Sequence, residues 1–314
     1  MVYELEDFGS YTVGGREVEV EGKPTQNIQF TPTASFEYDP NGTYAIAHAY
    51  VQYFKPMRRN GHPPVVLLHG GGMSGTTWET TPDGRPGWLQ LLVAAGYEVH
   101  VVDNVERGRA GWCAVDGVWP DKALQRTMEE AWHLFRIGQR EDFAARQAFE
   151  ACRFPVRSFE AFARSFVPRW TSTTEEATDA FAEVLCRLGR SIVICHSQGG
   201  QIAFEAAARH AKSVAAIAGV EPSGFATDAL ALKDVPVLLV YGDYLAASAD
   251  LPPLLKMGSA WSEIFAQAGG RAEILELPQV GIEGNSHMLM MDNNSADVLQ
   301  RIGLWLDEKL TSKD

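Results

Sequence analysis

The stretch Ser191-Ile192-Val193-Ile194-Cys195-His196-Ser197-Gln198-Gly199-Gly200-Gln201 constrains this chain more than any other. Its first half is a short apolar run with β-branched residues, which reads as a strand. From Gly199 onward the residues are mostly helix formers. A strand that passes directly into a helix crowds its own backbone, so the positions flanking the turn must be small. Cys195 and Gly199 meet that demand on either side of Ser197. One hydroxyl is thereby held at the tip of a rigid turn, beside the N–H groups of a helix N-terminus. The pattern small-x-Ser-x-small is that of a nucleophile elbow, with Cys195 where glycine is usual.

The flanking sequence alternates strand and helix. Residues 10–55 read as β structure. Tyr11 to Val20 resembles a hairpin turning at Gly14-Gly15, and Tyr44 to Phe54 alternates as a further strand. Val65 to Leu68 is continuously apolar, the mark of a strand buried on both faces. Trp88 to Gly96 predicts a helix and Glu98 to Asp103 the next strand. The charged loop Asn104 to Arg109 reads as scaffolding. Downstream, Glu175 to Leu188 predicts a helix whose first turn is acidic. Strands follow at Val214 to Val220, Val235 to Tyr241 and Ala272 to Leu277. Helices follow at Trp261 to Ala268 and Ala296 to Leu310. This order predicts an α/β fold with a mostly parallel central sheet and helices on both faces.

The alternation breaks between 113 and 173. There Lys122 to Ile137 and Arg157 to Trp170 read as amphipathic helices. Aromatics are dense, among them Trp132, Phe135, Phe159, Phe162 and Phe166. The chain therefore divides into a core of 1–112 and 174–314 and a helical cap of 113–173. Most cap aromatics should pack it onto the core, and a minority should line an apolar pocket.

The formal net charge of -13 argues against nucleic acid as a partner, because no basic stripe stands ready to neutralise phosphates. The acidic N-terminal residues have no apolar core of the signal-peptide type, and no run approaches the ~20 residues of a membrane span. A cytoplasmic protein is the expectation. The 4 cysteines form no Cys-x-x-Cys pair, and no histidine cluster has metal spacing. Cys186 and Cys195 fall in expected core elements. Cys113 and Cys152 are reduced by default and could pair in an oxidising compartment.

Serine is a weak nucleophile at neutral pH unless a base stands within hydrogen-bond reach and an acid orients that base. Enzymes with an elbow of this kind carry serine, acid and histidine in that chain order. Of the 8 histidines, only His287 lies after the acid candidates, in a glycine-containing loop beyond the last expected strand. The acid is contested. Its common slot, three residues after Gly242, is occupied by Leu245. Asp243 suits the turn. Glu221, at the end of the strand after the elbow helix, is favoured over it. The transition-state oxyanion needs N–H donors. His69-Gly70-Gly71-Gly72 follows an apolar strand and lacks the Gly-Lys-Ser/Thr ending of a phosphate loop. Gly71 and Gln198 are the expected donors, with Gly72 the substitute for Gly71.

These segments carry a family resemblance. His69-Gly70-Gly71-Gly72 with Thr77-Trp78-Glu79, then His196-Ser197-Gln198, Val220-Glu221-Pro222 and Gly284-Asn285-Ser286-His287-Met288, resemble the esterase 713-like branch of the α/β-hydrolase superfamily. The similarity runs from about 44 to 305. It implies an α/β-hydrolase fold, a glutamate at position 221 as the triad acid, and hydrolysis of a small-molecule ester without metal or cofactor. A homodimer is a further implication. The expected function is a serine carboxylesterase for esters with an apolar or aromatic group, acting through Ser197, Glu221 and His287. A lactonase or acyltransferase would use the same triad. A non-catalytic ligand-binding protein is the reading from another class.

Overall fold

The computed structural model describes residues 2–247 and 253–311. An eight-stranded sheet forms its centre. The strands are β1 (Leu5–Val20), β4 (Gly42–Pro56), β5 (Val65–Leu68), β6 (Val99–Asp103), β7 (Ser191–His196), β8 (Val214–Val220), β9 (Val237–Tyr241) and β10 (Ala272–Glu276). Their spatial order is β1-β4-β6-β5-β7-β8-β9-β10. The six from β6 to β10 are mutually parallel, while β4 runs antiparallel to β6 and β1 antiparallel to β4. The remaining strands, β2 (Gln26–Thr31) and β3 (Ala34–Tyr38), form a separate exposed hairpin.

Strand alternation distributes the core. Val65, Leu67, Ile192 and Ile194 face one layer, and Val66, Leu68, Val193 and Cys195 face the other. The first layer holds α1 (Trp88–Ala94) and α7 (Ser295–Thr311). The second holds α4 (Thr174–Leu188), α5 (Gln198–Arg209) and α6 (Leu254–Gln267). Removing one such side chain from water contributes roughly 1.5–3 kcal/mol. The short, fully apolar strands are stable only because both layers cover them. No helix among the described residues is long and apolar enough to cross a membrane.

Several expectations need correction. Gly14-Gly15 does not turn the chain, because β1 passes through both residues and stays paired with β4. Both glycines have positive φ. A Cβ on Gly14 would stand 3.0 Å from Ala180 Cβ, so the bare backbone lets α4 approach the strand. The two long helices expected between 113 and 173 shrink to α2 (Met128–Leu134) and α3 (Phe159–Ala163). Thr127, itself extended, caps α2 by accepting the Glu130 N–H. Leu124 pairs with Arg169 through reciprocal backbone hydrogen bonds of 2.7 and 3.0 Å. Tertiary pairing has overridden local helix preference there. α6 starts at Leu254, earlier than its aromatic stripe suggested. Cys186 is exposed on α4 with its thiol 3.2 Å from His210 Nδ1, whereas Cys195 is buried. All four cysteines, Cys113 and Cys152 included, are free thiols.

Candidate active site

β7 ends at His196 and α5 begins at Gln198, so Ser197 alone makes the turn. Its backbone lies at φ 51° and ψ -122°, a region that non-glycine residues occupy only when their surroundings enforce it. Ser197 N–H donates to Val220 O at 3.1 Å. Its carbonyl accepts from Gly200 N–H at 2.8 Å and Ser223 N–H at 3.0 Å. A Cβ on Gly199 would collide with His69 O, and one on Gly200 would stand 2.6 Å from Pro222 Cβ. The small residues that marked the turn in the sequence are those the packing requires.

Glu221 leaves the C-terminal end of β8 and His287 sits in the loop after β10. The three side chains meet. Ser197 Oγ is 3.0 Å from His287 Nε2, and His287 Nδ1 is 2.5 Å from Glu221 Oε2. The other carboxylate oxygen, Oε1, accepts from Gly242 N–H at 2.8 Å and from the Arg136 guanidinium. Glu221 and Arg136 are 0% and 1% exposed, so the carboxylate and the guanidinium meet inside the protein. Burial works to raise the carboxyl. The Arg136 charge and the contact with His287 outweigh that and hold Glu221 at about 2. Burial also pushes His287 below its usual value, partly offset by Glu221 and reinforced by Arg136 and Arg126. A neutral imidazole bonded to a carboxylate at Nδ1 presents a lone pair at Nε2, as a base requires.

Two carboxylates hold the histidine loop. Asp243 Oδ2 accepts from Asn285 N–H at 3.0 Å, and Asn285 O accepts from Asp243 N–H at 2.9 Å. The rival acid is therefore bonded to the histidine loop two residues before His287, while Glu221 holds the imidazole. Asp292 accepts from Ser286 N–H, Ser286 Oγ and Asn285 Nδ2 at 2.8, 2.8 and 3.1 Å. Burial nonetheless raises its carboxyl to about 7. His287 N–H donates to Phe135 O at 2.8 Å, and the Phe135 ring stacks on the imidazole at 5.7 Å. His196 Nε2 lies 3.0 Å from His287 O, bracing the loop, with the two imidazole rings 4.6 Å apart.

The glycine loop packs against the turn. A Cβ on Gly70 would stand 3.0 Å from Ser197 Cβ, so the loop needs glycine to come this close. Asn104 N–H donates to His69 Nε2 at 3.2 Å, which leaves Nδ1 to carry the proton. That Nδ1–H donates to Gly70 O at 2.9 Å, and burial holds His69 neutral by lowering it to about 4. A trans peptide directs its N–H opposite to its carbonyl, so fixing Gly70 O also fixes the direction of Gly71 N–H. Gln198 N–H is the first of the unpaired donors at the start of α5.

The sequence gives no sign of Arg136 or Asp292, and marks Phe135 only as one of the cap aromatics. Asp292 lies near the recognised Gly284–Met288 segment but has no motif of its own. Phe135 and Arg136 lay in an expected helix, with nothing in their spacing to show that the helix ends and Arg136 takes φ 55°. No group of three or more His, Cys, Asp or Glu residues able to hold a metal occurs among the described residues.

Comparison with known proteins gives concordant matches. A model of the α/β hydrolase family matches residues 65–272. The solved structure of a novel bacterial esterase superposes with a TM-score of 0.85 at 31% identity, covering 99% of this chain and 98% of that one. A protein named "Probable secreted lipase phiG", from Fungal sp. (strain ATCC 74256), is 24% identical over 85% of this chain and 88% of its own length.

Proposed function

This chain belongs to the α/β-hydrolase family, and on that premise we propose that it is a serine carboxylesterase. Ser197 Oγ attacks the ester carbonyl carbon while His287 Nε2 takes its proton. Glu221 keeps the imidazole in the required tautomer and offsets the positive charge it acquires. N–H groups of Gly71 and Gln198 stabilise the oxyanion. When the tetrahedral intermediate collapses, the C–O bond to the alcohol breaks and His287 returns the proton to the departing oxygen. Water, deprotonated by His287, then attacks the acyl-enzyme and releases the acid.

The observation that carries this reading is the unbroken relay from Ser197 through His287 to Glu221, at 3.0 and 2.5 Å, on a fold shared with an esterase. Segment 113–173 acts as the cap. Phe135 lies against His287, and Phe166 stands edge-on to Phe135 at 6.3 Å, so an apolar wall borders the reacting group. This favours esters with an apolar or aromatic portion near the scissile bond.

Hydrolysis of 4-nitrophenyl and methyl esters of graded size tests the reading. Ser197→Ala is expected to lower kcat by about 10⁴–10⁶ without loss of fold. A variant that keeps more than about a tenth of wild-type turnover would remove Ser197 from the mechanism, since that is far above the residual rates of triad knockouts.

A further inference from the structure

Guanidinium groups that the esterase chemistry leaves unused flank the glycine loop. Arg169 Nη1 lies 2.9 Å from the place a Gly71 Cβ would occupy, beside Gln198 Oε1 at 2.5 Å. Arg126 Nε lies 3.6 Å from the corresponding place at Gly72. Gly70, one residue earlier, is the point where the loop touches Ser197. The two groups therefore flank the loop one and two residues beyond its contact with Ser197.

Their charges are poorly matched by the protein. The Arg169 side chain makes no hydrogen bond or ion pair with another described residue. The Arg126 side chain is 6% exposed, and its Nη1 meets Glu130 Oε1 at 2.7 Å. Its Nε is buried without a partner. Arg107 is also buried and, with Gly70 and Gln198, lines a cavity of about 20 Å³. Burial and then the charge of Arg169 push Arg107 down to about 10. Arg126 is depressed by burial and by Arg169, against the opposing pull of Glu130. Like charges gathered where water is scarce disfavour one another unless an anion joins them.

We propose that Arg169 and Arg126 form a carboxylate subsite, and that the substrate is an ester bearing a carboxylate a few bonds from its scissile carbonyl. The inference rests on the esterase reading above and names the substrate class of that site. A half-ester of a short dicarboxylic acid has the required shape. Its methylene chain lies along the Phe135 wall, over which the Arg126 guanidinium sits at 5.2 Å. Its carboxylate reaches the open fork of Arg169, whose planar donors match two oxygens at once.

The test compares kcat/KM for monomethyl glutarate with that for the methyl ester of its monoamide, which has the same shape without the charge. The wild type is expected to prefer the carboxylate at least about tenfold at low ionic strength, with the preference shrinking as salt is added. Arg169→Gln should cut that ratio at least about tenfold, and Arg169→Lys, which keeps the charge, should retain part of it. The same ratio in Arg126→Gln gives an independent reading if Arg169→Gln does not fold. The acetyl esters of 3-hydroxypropionate and of its amide ask whether the carboxylate belongs to the alcohol side. A preference in either pair supports the subsite. Ratios near one in both pairs, or ratios unmoved in the Arg169 and Arg126 variants, overturn it. Turnover of 4-nitrophenyl acetate separates the failures. If that ester is cleaved and the ratios are one, only the subsite falls; if no ester is cleaved, the esterase reading falls and the subsite with it.

Discussion

The parallel strands β5 to β10 and the segment 113–173 both reach His287, but they are built in different ways. The strands from β5 to β9 are short, mostly apolar and held by neighbours on both faces, and the C-terminal ends of β7 and β8 position Ser197 and Glu221. The segment contains two short helices joined by irregular chain, packed through Trp132, Phe135, Phe154, Phe159 and Phe162. It delivers Arg136 to the far oxygen of Glu221 and Phe135 to the face of His287. On the proposed mechanism, the sheet supplies groups that react or orient, and the segment sets the charge and dielectric in which they do so. Substitutions in the sheet should abolish turnover, and those in the segment should tune it.

The largest effect expected within this contrast belongs to Glu221→Gln, which keeps the shape but removes the charge opposite the imidazolium. A loss of about 10³–10⁴ in kcat should follow. Arg136→Gln should cost less turnover, about 10–10² in kcat, while destabilising the fold by roughly 3–5 kcal/mol because Glu221 loses its buried partner. The pH profile distinguishes a tuning role from simple damage. His287 must be neutral to accept the serine proton, and it is held below 6.5 in the native protein, so activity should persist below pH 6.5 before the acid limb sets in. Arg136 contributes to that depression, so Arg136→Gln should move the limb to higher pH. A loss in Arg136→Gln as large as in Glu221→Gln, with an unmoved limb, would erase the contrast. Asp243→Asn should be mildest, below about tenfold in kcat, since its carboxylate accepts the Asn285 N–H and does not bond the imidazole. If Asp243→Asn is the crippling variant and Glu221→Gln the mild one, the acid has been misassigned.

The same contrast explains what was legible in the sequence. Val65–Leu68, Val99–Asp103, Ser191–His196 and Val214–Val220 form strands where the pattern predicted them, because a strand buried on both faces leaves a run of apolar residues with little ambiguity. Ser197 and His287 stand out because the turn geometry demands small neighbours and the chain order is limited; Glu221 is only favoured over Asp243, by its place after the elbow helix and by the family resemblance, and the structure brings the three side chains together. Between 113 and 173 the governing contacts are long-range. The Leu124–Arg169 pairing, the Arg153 N–H to Gly284 O bond of 2.7 Å and the Val167 N–H to Gly72 O bond of 3.0 Å tie this segment to itself and to the two loops at the site. No local periodicity encodes them, so the sequence pattern predicts helices longer than α2 and α3 and does not mark Arg136. Gly14-Gly15 misled for a related reason. Two glycines read locally as a turn, but in an unbroken strand Gly14 admits α4 and Gly15 lies close against β4.

The central claim is that Ser197 is a nucleophile activated by His287 and Glu221. Labelling with a fluorophosphonate, followed by intact-mass measurement and peptide mapping, tests it most directly, because that reagent reports an activated serine before any substrate is known. A single adduct on Ser197 is expected, absent in Ser197→Ala and formed about 10³-fold more slowly in Glu221→Gln. A folded protein that takes no label at saturating reagent, or an adduct that persists in Ser197→Ala, would contradict the account.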